Sequence, residues 1–490
     1  MNVLFVSAEV APFAKTGGLG DVGAALPRVL GTKGHDVRVV MPFYARVREK
    51  ASNGPFETVL KDCVVVLGGT RIVFSVLRGK LPDSSVPVYF VRCSGLYDRQ
   101  GIYTQDHDEH LRFAVLNWAA LHICQRLQFR PDIVHVNDWQ SALIPLLLRT
   151  MFAWDRLFNG TRTVLTIHNI GHQGTFGADK IADTGLADAR DHFHQDQLRE
   201  GRINFLLTGI MYANAITTVS PTYAREIQTP EHGVGLDYFL RNRREWTFGI
   251  LNGIDDGEWN PETDTKIVAN YSAENLDGKE ANKKALLENA GLKYFPRVPV
   301  VGIVSRLAWQ KGFDLAQKVL PRVLANRAMQ LVVLGTGEPQ YEKFFNALRY
   351  EFPRQVAYKR GFSEPLAHMI EAGSDMFLMP SRYEPCGLNQ MYSLRYGTVP
   401  IVHKTGGLAD TVFNFDTTRG TGNGFSFENF DEGGLSWALT RAISLWGTGD
   451  GPDRERWRVL QRNGMRMRLS WDERVTAYET VYRMIAPGRA

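Results

Sequence analysis

Short uninterrupted apolar runs alternate along this chain with longer stretches whose apolar positions recur at helical spacing, and that alternation is its strongest regularity. In the first half the runs fall at 2–7, 37–41, 88–91, 133–136, 163–167 and 215–219. In the second they fall at 300–304, 331–334, 376–379 and 400–402, each bounded by Gly, Pro or Ser. Continuous apolar runs of this kind belong to strands covered on both faces, and the helical stretches between them supply the crossovers of a parallel sheet. The pattern predicts an α/β protein of two Rossmann-like, doubly wound parallel-sheet domains. Ligands of such sheets sit beyond the carboxyl ends of the strands, so a cleft faced by the two domains is the expected site.

The run at 2–7 has no basic leader and is followed at once by Glu9, so it is expected as a buried strand and not as a signal peptide. No apolar run approaches the length needed to span a bilayer.

Two segments echo one another. Lys15-Thr16-Gly17-Gly18-Leu19-Gly20-Asp21 and Lys404-Thr405-Gly406-Gly407-Leu408-Ala409-Asp410 differ at one position, and each follows a strand and opens a helix. A Gly-Gly turn there lets backbone amides approach an anion where the helix dipole favours negative charge, although a purely structural strand-to-helix turn has the same form. Between the halves, 249–255 breaks from an apolar run into Asn252-Gly253 and then acidic chain, which is turn chemistry. The boundary is therefore placed at 250/251, with domains at 1–250 and 251–470 and this turn as a hinge.

Candidate chemistry clusters where strands end. Arg306 and Lys311 follow the 300–304 run, placed in a loop at that strand's carboxyl end, and are fixed cations able to neutralise a phosphate leaving group without a metal. Glu384 follows the 376–379 run and is offered with the amides behind it at a helix start, where a dipole partner or cap would look the same. Asp138 and His168 follow the 133–136 and 163–167 runs at matching positions and could meet over one site. The dense 106–110 and 192–194 clusters lack the spacing that puts metal ligands on one face, and both are expected as solvated loops with no metal bound.

Composition narrows the field. A length of 490 residues requires more than one core. The net charge of +5, from 57 basic and 52 acidic residues spread along the chain, is too dilute for a nucleic-acid footprint. The arginines between 454 and 468 read as the solvated face of a late helix. Cys63, Cys93, Cys124 and Cys386 form no C-x-x-C pair, which points to reduced thiols in the cytoplasm.

These residues carry a resemblance. The chain resembles the bacterial glycogen synthases, and similarly the plant starch synthases, over nearly its full length. The motifs are K-T-G-G-L-G-D at 15–21, H-x-N-D-W at 135–139, H-N-I-x-x-Q-G at 168–174, N-G-I-D at 252–255, S-R-L-x-x-Q-K-G at 305–312, E-P-C-G-L at 384–388 and T-G-G-L-A-D at 405–410. The resemblance implies the glycosyltransferase B architecture, with the last helix, 471–490, packing back on the first domain. It implies ADP-glucose as donor, an α-1,4-glucan such as glycogen as acceptor, retention of the α-anomer, and no cofactor, metal or membrane.

Residue by residue, it implies that Lys15, Gly17 and Gly18 meet the donor's diphosphate and glucose, while Arg306 and Lys311 stabilise the departing ADP. Thr405, Gly406 and Gly407 would donate amides to phosphate. Glu384 would hold glucose hydroxyls, with Cys386, Gly387 and Leu388 completing that grip, and Phe362 would stack on adenine. His168 would stand beside the anomeric carbon, Asp138 and Asn169 would contact the reacting sugar or acceptor, and Trp139 and Asn252 belong to the same substrate-binding set.

Two positions depart from wider patterns. Tyr392 stands where many retaining transferases carry a second Glu, and Trp309 stands where smaller polar residues are common. Front-face transfer fits best, with Asp138 the one carboxylate to test for a double displacement. An epimerase on the same scaffold and a non-catalytic glucan- or nucleotide-sugar-binding protein remain as alternatives.

Overall fold

The computed structural model describes residues 1–49, 55–447 and 452–488. It divides into two compact units, one formed by Met1–Ile250 with the chain from Trp471 on, the other by Leu251–Ser470.

The first unit carries β1 (Asn2–Val6), β2 (Asp36–Pro42), β3 (Glu57–Leu67), β4 (Thr70–Lys80), β5 (Pro87–Arg92), β6 (Ile133–Asn137), β7 (Arg162–Ile167), β8 (Thr175–Gly177), β9 (Arg202–Asn204), β10 (Ala215–Thr218) and β11 (Thr247–Gly249). Nine of these form one sheet in the order β11-β10-β7-β6-β1-β2-β5-β4-β3. Pairing is parallel from β11 to β5, and β3 and β4 extend that edge as an antiparallel hairpin. The order reverses between β1 and β6, which makes their carboxyl ends the switch point where an open α/β sheet binds ligands.

The helix Trp471–Ile485 is fastened to this unit by polar contacts. His135 Nδ1 lies 2.7 Å from Tyr482 Oη, His35 Nε2 lies 2.9 Å from Glu479 Oε1, and Arg162 Nε donates to the Ile485 carbonyl.

The second unit carries β12 (Val300–Leu307), β13 (Gln330–Gly337), β14 (Val356–Arg360), β15 (Met376–Met379), β16 (Val399–His403) and β17 (Phe425–Phe427). They pair in parallel in the order β14-β13-β12-β15-β16-β17, the doubly wound arrangement with its switch point between β12 and β15. Alternate residues feed two cores. Val301, Ile303, Leu331 and Val333 pack with the helices Phe313–Asn326 and Glu432–Trp446, whereas Val300, Val332 and Phe377 pack with Asp277–Asn289 and Glu364–Gly373. Coverage of both faces explains why these strands read as continuous apolar runs.

Of the arginine-rich stretch, the residues at 454–462 lie on the helix Pro452–Met465, where Arg456 is bound to Asp453 and Arg462 to Glu455, while Arg466 beyond it pairs with Glu274. No helix among the described residues is long and apolar enough to cross a membrane.

Candidate active site

In the second unit the switch point gathers the sequence candidates. Arg306 is the penultimate residue of β12 itself rather than part of the following loop, and Lys311 closes the short turn Trp309–Lys311 after it. Ser381 and Glu384 come from the segment after β15. Lys311 Nζ donates to Glu384 Oε2 at 2.6 Å, and Ser381 Oγ donates to the same oxygen at 3.0 Å. The Glu384 side chain is buried and Lys311 is half-buried, giving a charge-assisted pair partly shielded from bulk water. Arg306 is exposed and has no ion-pair partner among the described residues. Among the described residues, Lys311 is thus committed to Glu384 while Arg306 is not held in an ion pair.

The second Gly-Gly turn packs onto this pair. Gly407 N donates to the carbonyl of Glu384 at 3.1 Å, so this amide is already used by backbone. A Cβ on Gly406 would lie 1.9 Å from that carbonyl, and the residue has φ of +43°, so glycine is needed here for close approach. Thr405 and Cys386 are buried beside it, and Gly387 takes φ of +72° before the helix Asn389–Arg395. Gln390 Nε2 donates to the Cys386 and Gly387 carbonyls, and Asn389 Nδ2 donates to Val304 O, tying that helix back to β12. Leu388 is the residue before the helix and is half-buried. Gly406→Ala is expected to cost more than about 2 kcal/mol of stability, read by thermal unfolding. An unchanged Tm would mean that the turn can back away.

Both departures acquire physical reasons. The Arg382 guanidinium sits 4.3 Å from the Trp309 ring centroid and 4.3 Å from that of Phe430, and is paired with Asp314 at 2.6 Å. Trp309 is therefore a wall for Arg382. Tyr392 stacks on Trp259 at 3.9 Å, and Trp259 stacks in turn on His368 at 3.8 Å, so position 392 packs against the segment that opens this unit. Phe362, 83% exposed, presents a free aromatic face after β14. Asn252 is buried, and its Oδ1 has no hydrogen-bond partner among the described residues.

In the first unit Asp138 and His168 do come together. Asp138 Oδ1 accepts from His168 N at 2.7 Å and the Asp138 carboxyl also faces the Asn169 amide, while the Asp138 backbone sits at φ of 52°. A non-glycine residue in that region stores strain that the surrounding bonds must hold. Burial pushes the Asp138 carboxyl up to about 7. Burial also holds His168 down to about 3, so its ring is neutral. Asn169 Oδ1 is occupied by the Gly171 amide. Trp139 is turned into an aromatic cluster, 4.8 Å from Phe113 and 5.6 Å from Phe176, with Gly174 pressed against its ring. It seats the turn rather than presenting a face.

The first Gly-Gly turn differs from its echo. Gly17 is extended, with open space around it. Its anion is internal: the buried Glu9 carboxylate accepts from Thr16 N, Gly17 N, Thr16 Oγ1 and Tyr103 Oη. Gly18 begins the helix Gly18–Thr32, and Lys15 Nζ pairs with Asp21 at 2.6 Å. Glu9 and Tyr103, which organise this turn, were not among the sequence candidates. The available signal was an acidic residue just past a buried strand.

The two clusters are solvated loops only in part: Asp106, His107 and His192 are exposed, as expected, while the remainder is drawn into the fold. Glu109 and His110 are buried at the start of the helix Glu109–Arg126, because Arg112 pairs with Glu109 at 2.5 Å and His110 with Asp183 at 2.9 Å. Arg99 holds Asp106 and Asp108. In the 192–194 cluster Phe193 is buried between an exposed His192 and a half-buried His194. Glu258, Glu364 and His368 do bring metal-ligand atoms together, but Lys266 Nζ already sits among them, 2.5 Å from Glu364 and 3.3 Å from His368.

Comparison with known proteins adds the family. Residues 2–242 match the family model described as the starch synthase catalytic domain, and 290–461 match glycosyl transferases group 1. The chain is 46% identical to a glycogen synthase of Anaeromyxobacter sp. (strain Fw109-5), covering 99% of this chain and all of that protein. It is 44% identical to glycogen synthase 2 of Geobacter metallireducens over the whole of both chains. Among solved structures, the catalytic domain of starch synthase IV from Arabidopsis thaliana, bound to ADP and acarbose, superposes with a TM-score of 0.88 at 35% identity, with 99% of each chain covered. Sucrose-phosphate synthase from Thermosynechococcus elongatus shares the fold alone, with a TM-score of 0.61 at 15% identity.

Proposed function

The chain belongs to the glycogen synthase family of glycosyltransferases, and from that premise we propose that it transfers glucose from ADP-glucose to the non-reducing end of an α-1,4-glucan with retention, elongating glycogen in the cytoplasm. The observation that carries the reading is the Lys311–Glu384 pair at the switch point of the second unit, beside Arg306, which has no ion-pair partner among the described residues. A departing nucleoside diphosphate gains charge as the sugar bond lengthens, and two fixed cations meet that need without a metal. Glu384, placed by Lys311 and Ser381, accepts from glucose hydroxyls, and Phe362 offers its open face to the base. The ADP and acarbose held by the starch synthase IV relative support a donor with this base and a glucan acceptor.

In the first unit Asp138 and the neutral His168 stand toward the reacting sugar and acceptor. The Asp138 carboxylate is bound to the 168–169 amides, which favours a stabilising role over a covalent one, and so favours front-face transfer. Residues 1–250 would then serve the acceptor and the chemistry, and 251–470 the nucleotide sugar.

The test is incorporation of radiolabelled glucose into glycogen, comparing ADP-glucose with UDP-glucose. Incorporation from ADP-glucose, undiminished after exhaustive chelation, is expected. Activity restored only by Mg²⁺ or Mn²⁺ would overturn the fixed-cation mechanism. Conversion of the donor without glucan growth would favour an epimerase, and no turnover at all a binding protein.

A further inference from the structure

Asn137 ends β6 with no exposed surface, and its amide is fixed at both ends. Nδ2 donates to the Val6 carbonyl at 3.0 Å. A carbonyl can only accept, so the reversed amide would set oxygen against oxygen and is excluded. Oδ1 therefore faces His168 Nε2, at 2.9 Å. An amide oxygen also only accepts, so Nε2 carries the proton. A neutral imidazole has one N–H, which leaves Nδ1 with a free lone pair. Nδ1 has no hydrogen-bond partner among the described residues and is not among the sealed buried atoms.

We propose that Asn137 is a positioning residue that holds His168 in the Nε2–H tautomer, so that the ring offers Nδ1 as an acceptor to a hydroxyl of the reacting sugar. This rests on the reading of His168 given above. The titratable groups around this stretch leave the ring alone. Asp138 accepts from His168 N, not from the ring. His135 of β6 is bonded to Tyr482 and Thr166. Tyr223 accepts from the Ile170 amide, and Glu9 is committed to Thr16, Gly17 and Tyr103. A neutral acceptor suits a sugar that gains positive charge in an oxocarbenium-like transition state, where an imidazolium would repel it. It also discriminates, because a lone pair binds a hydroxyl and rejects an analogue that has only an ether oxygen there.

Nitrogen-15 NMR of the His168 ring in the unliganded protein reads the tautomer directly. The wild type is expected to carry the proton on Nε2. In Asn137→Leu the buried Nε2–H loses its acceptor, so the proton is expected to move to Nδ1, with kcat falling about tenfold or more and the donor KM little changed. A wild-type ring protonated on Nδ1 would overturn the proposal, and so would a folded Asn137→Leu enzyme with unreduced kcat. If Asn137→Leu does not fold, the wild-type spectrum decides alone. Full activity in His168→Ala would instead defeat the sugar-side reading of His168 and leave the tautomer result standing.

Discussion

Arg306→Ala is expected to lower kcat at least about 10²-fold with no change in Tm, and Lys311→Ala to lower kcat as far while also lowering Tm. The difference follows from what each cation does before the donor arrives. Arg306 is exposed at the end of β12 and has no ion-pair partner among the described residues, so its removal leaves nothing stranded. Lys311 neutralises the buried Glu384, and its loss leaves that carboxylate with Ser381 as its remaining side-chain partner. Both expected effects on kcat have the same proposed source, the loss of a preorganised positive charge where the diphosphate would leave. The measurements are steady-state kinetics with ADP-glucose and glycogen, thermal unfolding, and ADP binding. Near-normal turnover in both variants would sink the leaving-group assignment. Loss of kcat only in Lys311→Ala, in proportion to unfolded protein, would reduce it to a structural ion pair.

Much of this site was legible because the strands are. Runs such as 300–304 and 376–379 are apolar without a break since both faces of the sheet are covered, and their carboxyl ends then point to Arg306, Lys311 and Glu384 in turn. The β3–β4 hairpin escaped the reading because it is antiparallel and half-exposed, with Val64, Val66 and Val73 facing out and Val65, Ile72 and Phe74 facing in. Its Gly68-Gly69 turn was the signal that could have revealed it.

The anion partner of the first Gly-Gly turn was illegible for a different reason. Glu9 answers to Thr16, seven residues on, and to Tyr103, 94 residues on, and only the fold brings them together. The two echoed motifs make the same point from the other side. Gly17 has open space and Gly406 has none, although the residues around them are nearly identical, because the demand for glycine comes from the chain packed against each turn.

Asp138→Asn is expected to reduce kcat at least about 10²-fold while the protein stays folded, because the amide keeps an oxygen for His168 N but removes the charge. Asp138→Ala should do worse. It frees the 168–169 amides as well and leaves a φ of 52° without the bonds that hold it. The wild-type enzyme should show the same charge through pH. Burial raises the Asp138 carboxyl from its ordinary value near 3.8 to about 7, so the ionised form that would stabilise the positive sugar is lost as pH falls through about 7. Stability moves the opposite way. A carboxyl whose folded value is raised binds its proton more tightly in the native state, so its contribution is present below about pH 4 and is lost as pH rises toward 7. The wild type should therefore lose kcat/KM on the acid side while its Tm, in respect of this group, rises there, and Asp138→Asn should flatten both trends. If Asp138→Asn keeps wild-type kcat and an unchanged acid limb, the carboxylate serves only to hold the 168–169 turn, and the charge that steadies the sugar must come from another residue.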